Sequence, residues 1–174
     1  MHLSAILAVV VALQVASISA PERTPDLQQV LSNNAALNSV EVLYRVEGQV
    51  IAVRGDGTVL KQSTRQQLPL LPICKGTVAL ADVRYLLETM LAAQFFDLPR
   101  KSYILLNEDW RTLQMHSISI KTAGGSAKRD FSAGEYGGKR QEIPDNFAQV
   151  EKAIAELESK AISPETHCTV GHPL

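Results

Sequence analysis

The stretch VEVLYRVEGQVIAVRGDGTVLKQ, residues Val40 to Gln62, decides the fold. Val40, Val42, Tyr44 and Val46 alternate with Glu41, Leu43, Arg45 and Glu47, the period of a half-buried strand. Gly48-Gln49 turns the chain, and VIAVRGDGTVLKQ then reads as a hairpin in which Gly55-Asp56-Gly57 supplies the positive backbone angles of a tight turn. This Gly-x-Gly is a turn and not a phosphate loop, because the third glycine and the helix that would follow it are missing.

Further along, QSTRQQLPLLPICKGT, from Gln62 to Thr77, has Pro69 and Pro72 and no clear period. It predicts a loop crossing the domain, with Leu68, Leu70, Leu71 and Ile73 lying on apolar surface. ADVRYLLETMLAAQFFDLPRKSY, from Ala81 to Tyr103, places Val83, Leu86, Leu87, Met90 and Leu91 on one side of a helix and Arg84 and Glu88 on the other. Phe95 continues that apolar face, Phe96 begins to leave it, and Pro99 stops the helix. Burying a Phe is worth about 1.5–3 kcal/mol, which assigns the pair to the core.

KSYILLNEDWR predicts a turn around Asn107-Glu108-Asp109, and TLQMHSISIKTAGGSAKRDFSAG a second hairpin with Gly124-Gly125 at its tip. Its apolar phase shifts between Met115 and Ile118, which predicts a bulge or bend near His116-Ser117. A last helix starts at about Pro144, with Phe147, Val150, Ile154 and Leu157 in one stripe. Ahead of the first strand, Thr24 is placed as the cap of a short helix with Pro25 at its first position; Leu27, Val30 and Leu31 share a side, and Asn33-Asn34 ends it.

The chain begins with an apolar run from Leu3 to Val15 that ends in small residues and turns polar at Pro21, the layout of a secretory signal peptide. The run is shorter than the ~20 residues of a spanning helix and is interrupted by Gln14, so no stable membrane anchor is expected after cleavage behind Ser19 or Ala20. The expected partition is signal peptide 1–20, lead-in 21–38, a single domain 39–161 and a tail 162–174. The protein is expected to be exported, periplasmic or extracellular. With 17 basic against 18 acidic residues among 174, no net field holds it on nucleic acid.

Signals of chemistry are sparse. No serine sits in a nucleophile elbow, and neither cysteine has a base the sequence nominates, so no catalytic residue is assigned. Glu108 and Asp109 beside Trp110 offer an acid pair for a sugar site, although adjacent carboxylates in a turn are usually solvated, and His116 on a strand reads as a structural histidine. His167, Cys168 and His172 suggest a metal, yet lack an evident fourth ligand. A disulfide between Cys74 and Cys168 is the main expectation, with a free thiol as the remaining alternative; no cofactor or metal is expected. Arg100-Lys101, Lys128-Arg129, Lys139-Arg140 and Arg111 near Lys121 flank loops of the second half as a candidate binding face together with Trp110.

GDGTV, AAQFFDLP, ISIKTAGGSAKRDF and IPDNFAQVEKAIAELE together resemble a family of small exported bacterial domains of unknown function, over about Val40 to Glu158. An early Cys-Pro segment common to such proteins is missing here. The resemblance implies a fold and an exported location, and no catalytic residues to carry over.

Two hairpins, each followed by a helix, give an α+β fold in ββαββα order, an antiparallel sheet with two helices on one face; a ferredoxin-like arrangement is the runner-up. A sheet covered on one side leaves its other face and its edges for a protein, peptide or glycan. The expected function is an exported, non-enzymatic interaction or structural module. The alternative is a cell-envelope enzyme acting on glycan through Glu108, Asp109 and Trp110.

Overall fold

A computed structural model describes residues 23–64, 71–102, 114–136, 139–163, 166–171 and 174. Its centre is one mainly antiparallel sheet, with helices on one face. The strands of its first half are β1 (Glu41–Val46), β2 (Gln49–Arg54), β3 (Thr58–Ser63) and β4 (Leu71–Thr77). The second half has β5 (Lys101–Ser102), β6 (Gln114–Thr122), β7 (Gly125–Tyr136), β8 (Lys139–Gln141) and β9 (Cys168–Gly171). The order across the sheet is β5-β7-β6-β1-β2-β3-β4-β9, with β8 pairing β7 and only β5 running parallel to its neighbour. The helices are α1 (Leu27–Ser32), α2 (Asn34–Leu37), α3 (Leu80–Ala92) and α4 (Asp145–Ala161).

The α+β class and the antiparallel sheet stand; the ββαββα order does not, because four strands precede α3 and a strand follows α4. The expected loop at 62–77 contains β4, and the expected tail contains β9. Pro72 is tolerated in β4 for a geometric reason. The Cys74–Cys168 pair has its Cα atoms 4.1 Å apart, the narrow pair of an antiparallel ladder that exchanges no hydrogen bonds. Pro72 pairs Val170 two residues on and so is also a narrow pair, and it lies just past the last β3 partner, Ile73. Its missing N–H leaves no ladder bond unmade.

β6 and β7 pair without interruption from Gln114↔Ala133 to Thr122↔Gly125, so the expected bulge at His116-Ser117 is absent. The phase shift has a simpler cause: Ile118 and Ile120 face the helices, whereas Met115 points to the other face and is 46% exposed.

α3 and α4 bury Val83, Leu86, Leu87 and Met90 with Phe147, Val150, Ile154 and Leu157 against Val42, Ile51, Val53 and Val59. α3 ends sooner than Pro99 requires: Gln94 takes a left-handed conformation (φ 49°), and Phe95–Asp97 form a single 3-10 turn. Phe95 is fully buried and Phe96 partly so, which places the pair in the core. α1 starts one residue after its cap, Asp26, and not at Thr24, because the Asp26 carboxylate accepts the Gln29 N–H (3.0 Å). Asn33 closes α1 and caps α2. This lead-in docks through Leu27, Val30 and Leu37, and Arg84 of α3 donates to Leu31 O and Asn34 Oδ1. At Gly76 a side chain would strike the Ala161 carbonyl, so glycine lets the end of α4 close on β4.

Candidate functional site

Two arrangements of polar side chains stand out, one on each face of the sheet. On the helix face, α4 carries Glu151 and Glu158 seven residues apart beside its apolar stripe, so both carboxylates turn to the sheet. Glu151 sits 2.6 Å from His116 Nδ1 and also accepts a hydrogen bond from the Tyr44 hydroxyl. Burial first, then the Glu151 charge, pushes the Tyr44 phenol well above its ordinary range. Two helical turns on, Glu158 takes Lys61 in an ion pair and the Gln49 amide at 3.1 Å. This polar seam ties α4 to β1, β6, β2 and β3.

The seam has the components of an acid–base site, largely buried between α4 and the sheet. His116 Nε2 is buried and has no hydrogen-bond partner among the described residues. A general base must reach its substrate within hydrogen-bond distance, directly or through one water.

The far face is set by the register. Across β2, β1, β6 and β7 one row runs Arg54, Glu41, Lys121, Ser126, the next Ala52, Leu43, Ser119, Lys128, and the third Val50, Arg45, Ser117, Asp130. Serines form the floor, and long charged side chains stand around it. Glu41, Leu43, Ser119, Lys121, Ser126 and Lys128 line a shallow groove of about 300 Å³. Arg54 pairs with Glu41 at 3.6 Å and Lys128 with Asp130 at 2.9 Å. Towards β3 the face is covered: Val50, Ala52, Leu60 and Gln62 are buried. Leu174 lies there, its N–H donating to Gln62 Oε1 (2.8 Å) and its carbonyl accepting from Arg45 Nη2 (3.1 Å).

The structure joins Cys74 to Cys168 in a disulfide. Of the basic pairs, one is described with both side chains. Lys128 and Arg129 are on opposite faces: Lys128 lines the far-face groove, while Arg129 is 4% exposed on the helix face, where it donates to the Phe96 carbonyl and stands over the Phe95 ring. Arg140 is exposed and pairs with Glu142, and Arg100 precedes β5. Lys101 and Lys139 are described by backbone only, in β5 and β8. Glu108, Asp109, Trp110, Arg111 and His172 lie outside the described residues. Among the described residues no group of three or more His, Cys, Asp or Glu is placed to hold a metal ion.

Sequence reasoning missed the Tyr44–His116–Glu151 cluster and the serine floor. The available signals were Glu151 and Glu158 flanking the α4 stripe, and the alternating serines of β6. No protein family, curated protein or solved structure matches the chain.

Proposed function

We propose that the chain is an exported, non-enzymatic interaction module whose far sheet face takes an extended, acidic peptide segment of a protein partner. The reading rests on the groove floored by Ser119 and Ser126 and edged by Lys121 and Lys128. Arg45, Arg54 and Lys75 extend the basic character of this face, against Glu41, Glu47 and Asp130. The helices carry the opposite bias, with Asp82, Glu88, Asp145, Glu151, Glu156 and Glu158 against Arg84, Lys152 and Lys160. A chain of net charge −1 thus segregates its charges, which orients an anionic partner towards the sheet. A peptide fits better than a glycan on the described residues, since none of those lining the groove is aromatic and offers a stacking surface.

Titration with hexaglutamate, with hexalysine as the control, tests the reading. Exposed ion pairs contribute about 0.2–1 kcal/mol each, so Lys121→Glu with Lys128→Glu should weaken hexaglutamate binding by roughly tenfold or more. Rising salt should weaken it as well. Equal binding of the two peptides, or indifference to the double reversal, would sink the proposal.

A further inference from the structure

The far face carries a pattern finer than its net charge. β6 lays Ser117 and Ser119 along its length, while the strands on either side raise Leu43 and Arg45 of β1 and Lys128 and Asp130 of β7. The result is a trough over β6 whose walls stand two strand spacings apart, about 9–10 Å. That is too narrow for a helix, which is about 10–12 Å across with its side chains, and suits a single extended chain. Lys121 stands on β6 at one end of the trough, in the row with Glu41 and Ser126.

The charges fall row by row along this trough. Beside Lys121, Glu41 is paired with Arg54 at 3.6 Å. The next row places Lys128 with Leu43 and Ser119, and the third sets Arg45 against Asp130. Over the three rows the cations Arg45, Arg54, Lys121 and Lys128 face the acids Glu41 and Asp130, which leaves a surplus of two positive charges. Past the third row Glu47 adds an acid, and Arg45 already donates to the Leu174 carbonyl at 3.1 Å. The surplus therefore lies in the rows of Lys121 and Lys128. Lys128 is paired with Asp130 at 2.9 Å, but its side chain is 56% exposed, and the three donors of an ammonium let it serve more than one oxygen. Successive rows are two residues apart along their strands, about 6.8 Å, and side chains on one side of an extended peptide recur at the same interval.

We propose that the trough reads spacing as well as charge, selecting an extended segment with acidic residues at positions i and i+2, the first over Lys121 and the second turned to Lys128. This rests on the reading of the far face as a peptide-binding surface. The residue between the two acids points to solvent and is unrestricted. The residue at i+4 meets the balanced row of Arg45 and Asp130, which favours neither sign.

Two dodecapeptides of identical composition and charge, one of six Glu-Thr repeats and one of three Glu-Glu-Thr-Thr repeats, are titrated at low salt against the full chain, with hexalysine as the control. The β-branched threonines favour the extended form of both. In the first peptide every second residue on one side is acidic; in the second, acids on one side are four residues apart, so a single carboxylate reaches the two lysines at a time. The alternating peptide should bind about two- to fivefold more tightly, the worth of one exposed ion pair. Lys121→Ser and Lys128→Ser, both at exposed positions, should each bring the two peptides to the same affinity. Equal binding of both peptides by the parent, with hexalysine excluded, overturns the spacing rule and leaves the far-face reading standing. A preference that survives both substitutions overturns the assignment to Lys121 and Lys128. Binding of neither peptide overturns the far-face reading and the spacing rule together.

Discussion

Replacing Phe95 by Ala should cost the fold about 3–5 kcal/mol. The ring is fully buried in a cluster that joins three parts of the chain: it meets Phe96 edge-on at 5.6 Å and stacks on Phe147 at 6.2 Å. Phe147 in turn meets Phe131 at 4.7 Å, so the hole would open between the 3-10 turn, α4 and β7. The Arg129 guanidinium lies 5.8 Å from the Phe95 centroid, and its loss of a ring partner adds about 0.5–1 kcal/mol to the cavity cost. For a domain of this size each kcal/mol moves the melting midpoint by about 2–4 °C, so the variant should melt roughly 6–20 °C lower. Urea unfolding followed by circular dichroism is the assay, with the midpoint falling and the slope unchanged. A loss under about 1 kcal/mol would refute the assignment of Phe95 to the core, and a loss of hexaglutamate binding at unchanged stability would make it a recognition residue instead.

Other consequences follow from the same contacts. Cys74→Ser with Cys168→Ser removes a cross-link spanning 94 residues and should lower stability by about 4–5 kcal/mol in denaturant titrations. Glu151→Ala leaves the His116 Nδ1 and Tyr44 hydroxyl without their shared acceptor and should cost about 2–4 kcal/mol by thermal melting, whereas Glu151→Gln should recover part of it. Because the folded state raises the Tyr44 phenol above its ordinary value near 10, its contribution is complete below that pH and is lost as pH rises beyond it. Denaturation midpoints taken between about pH 9 and 11 should therefore fall less steeply in Tyr44→Phe than in the parent, and parallel curves would reject the shift.

The sheet was legible wherever a strand alternates. β1 and the Ile118–Ile120 part of β6 carry a period of two, β2 and β3 are marked by the Gly55-Asp56-Gly57 turn between them, and α3 and α4 carry a helical stripe long enough to identify them. β4 was hidden by Pro69 and Pro72, since a proline argues against a strand unless its register is known, and here the register with β9 makes Pro72 harmless. β9 is too short and too polar to announce itself, and only its disulfide partner reveals it. The helix-face seam was illegible because Tyr44, His116 and Glu151 come from β1, β6 and α4, which meet only when the sheet closes on the helix. Lys128 and Arg129 looked like one basic pair, but the alternation of a strand sends neighbours to opposite faces.

The far-face claim is met most directly by amide chemical-shift mapping of the isotope-labelled protein during addition of hexaglutamate. The account predicts shifts concentrated at Leu43, Ser119, Lys121 and Ser126, on β1, β6 and β7. Shifts confined to α3 and α4, or none at any peptide concentration, would contradict it.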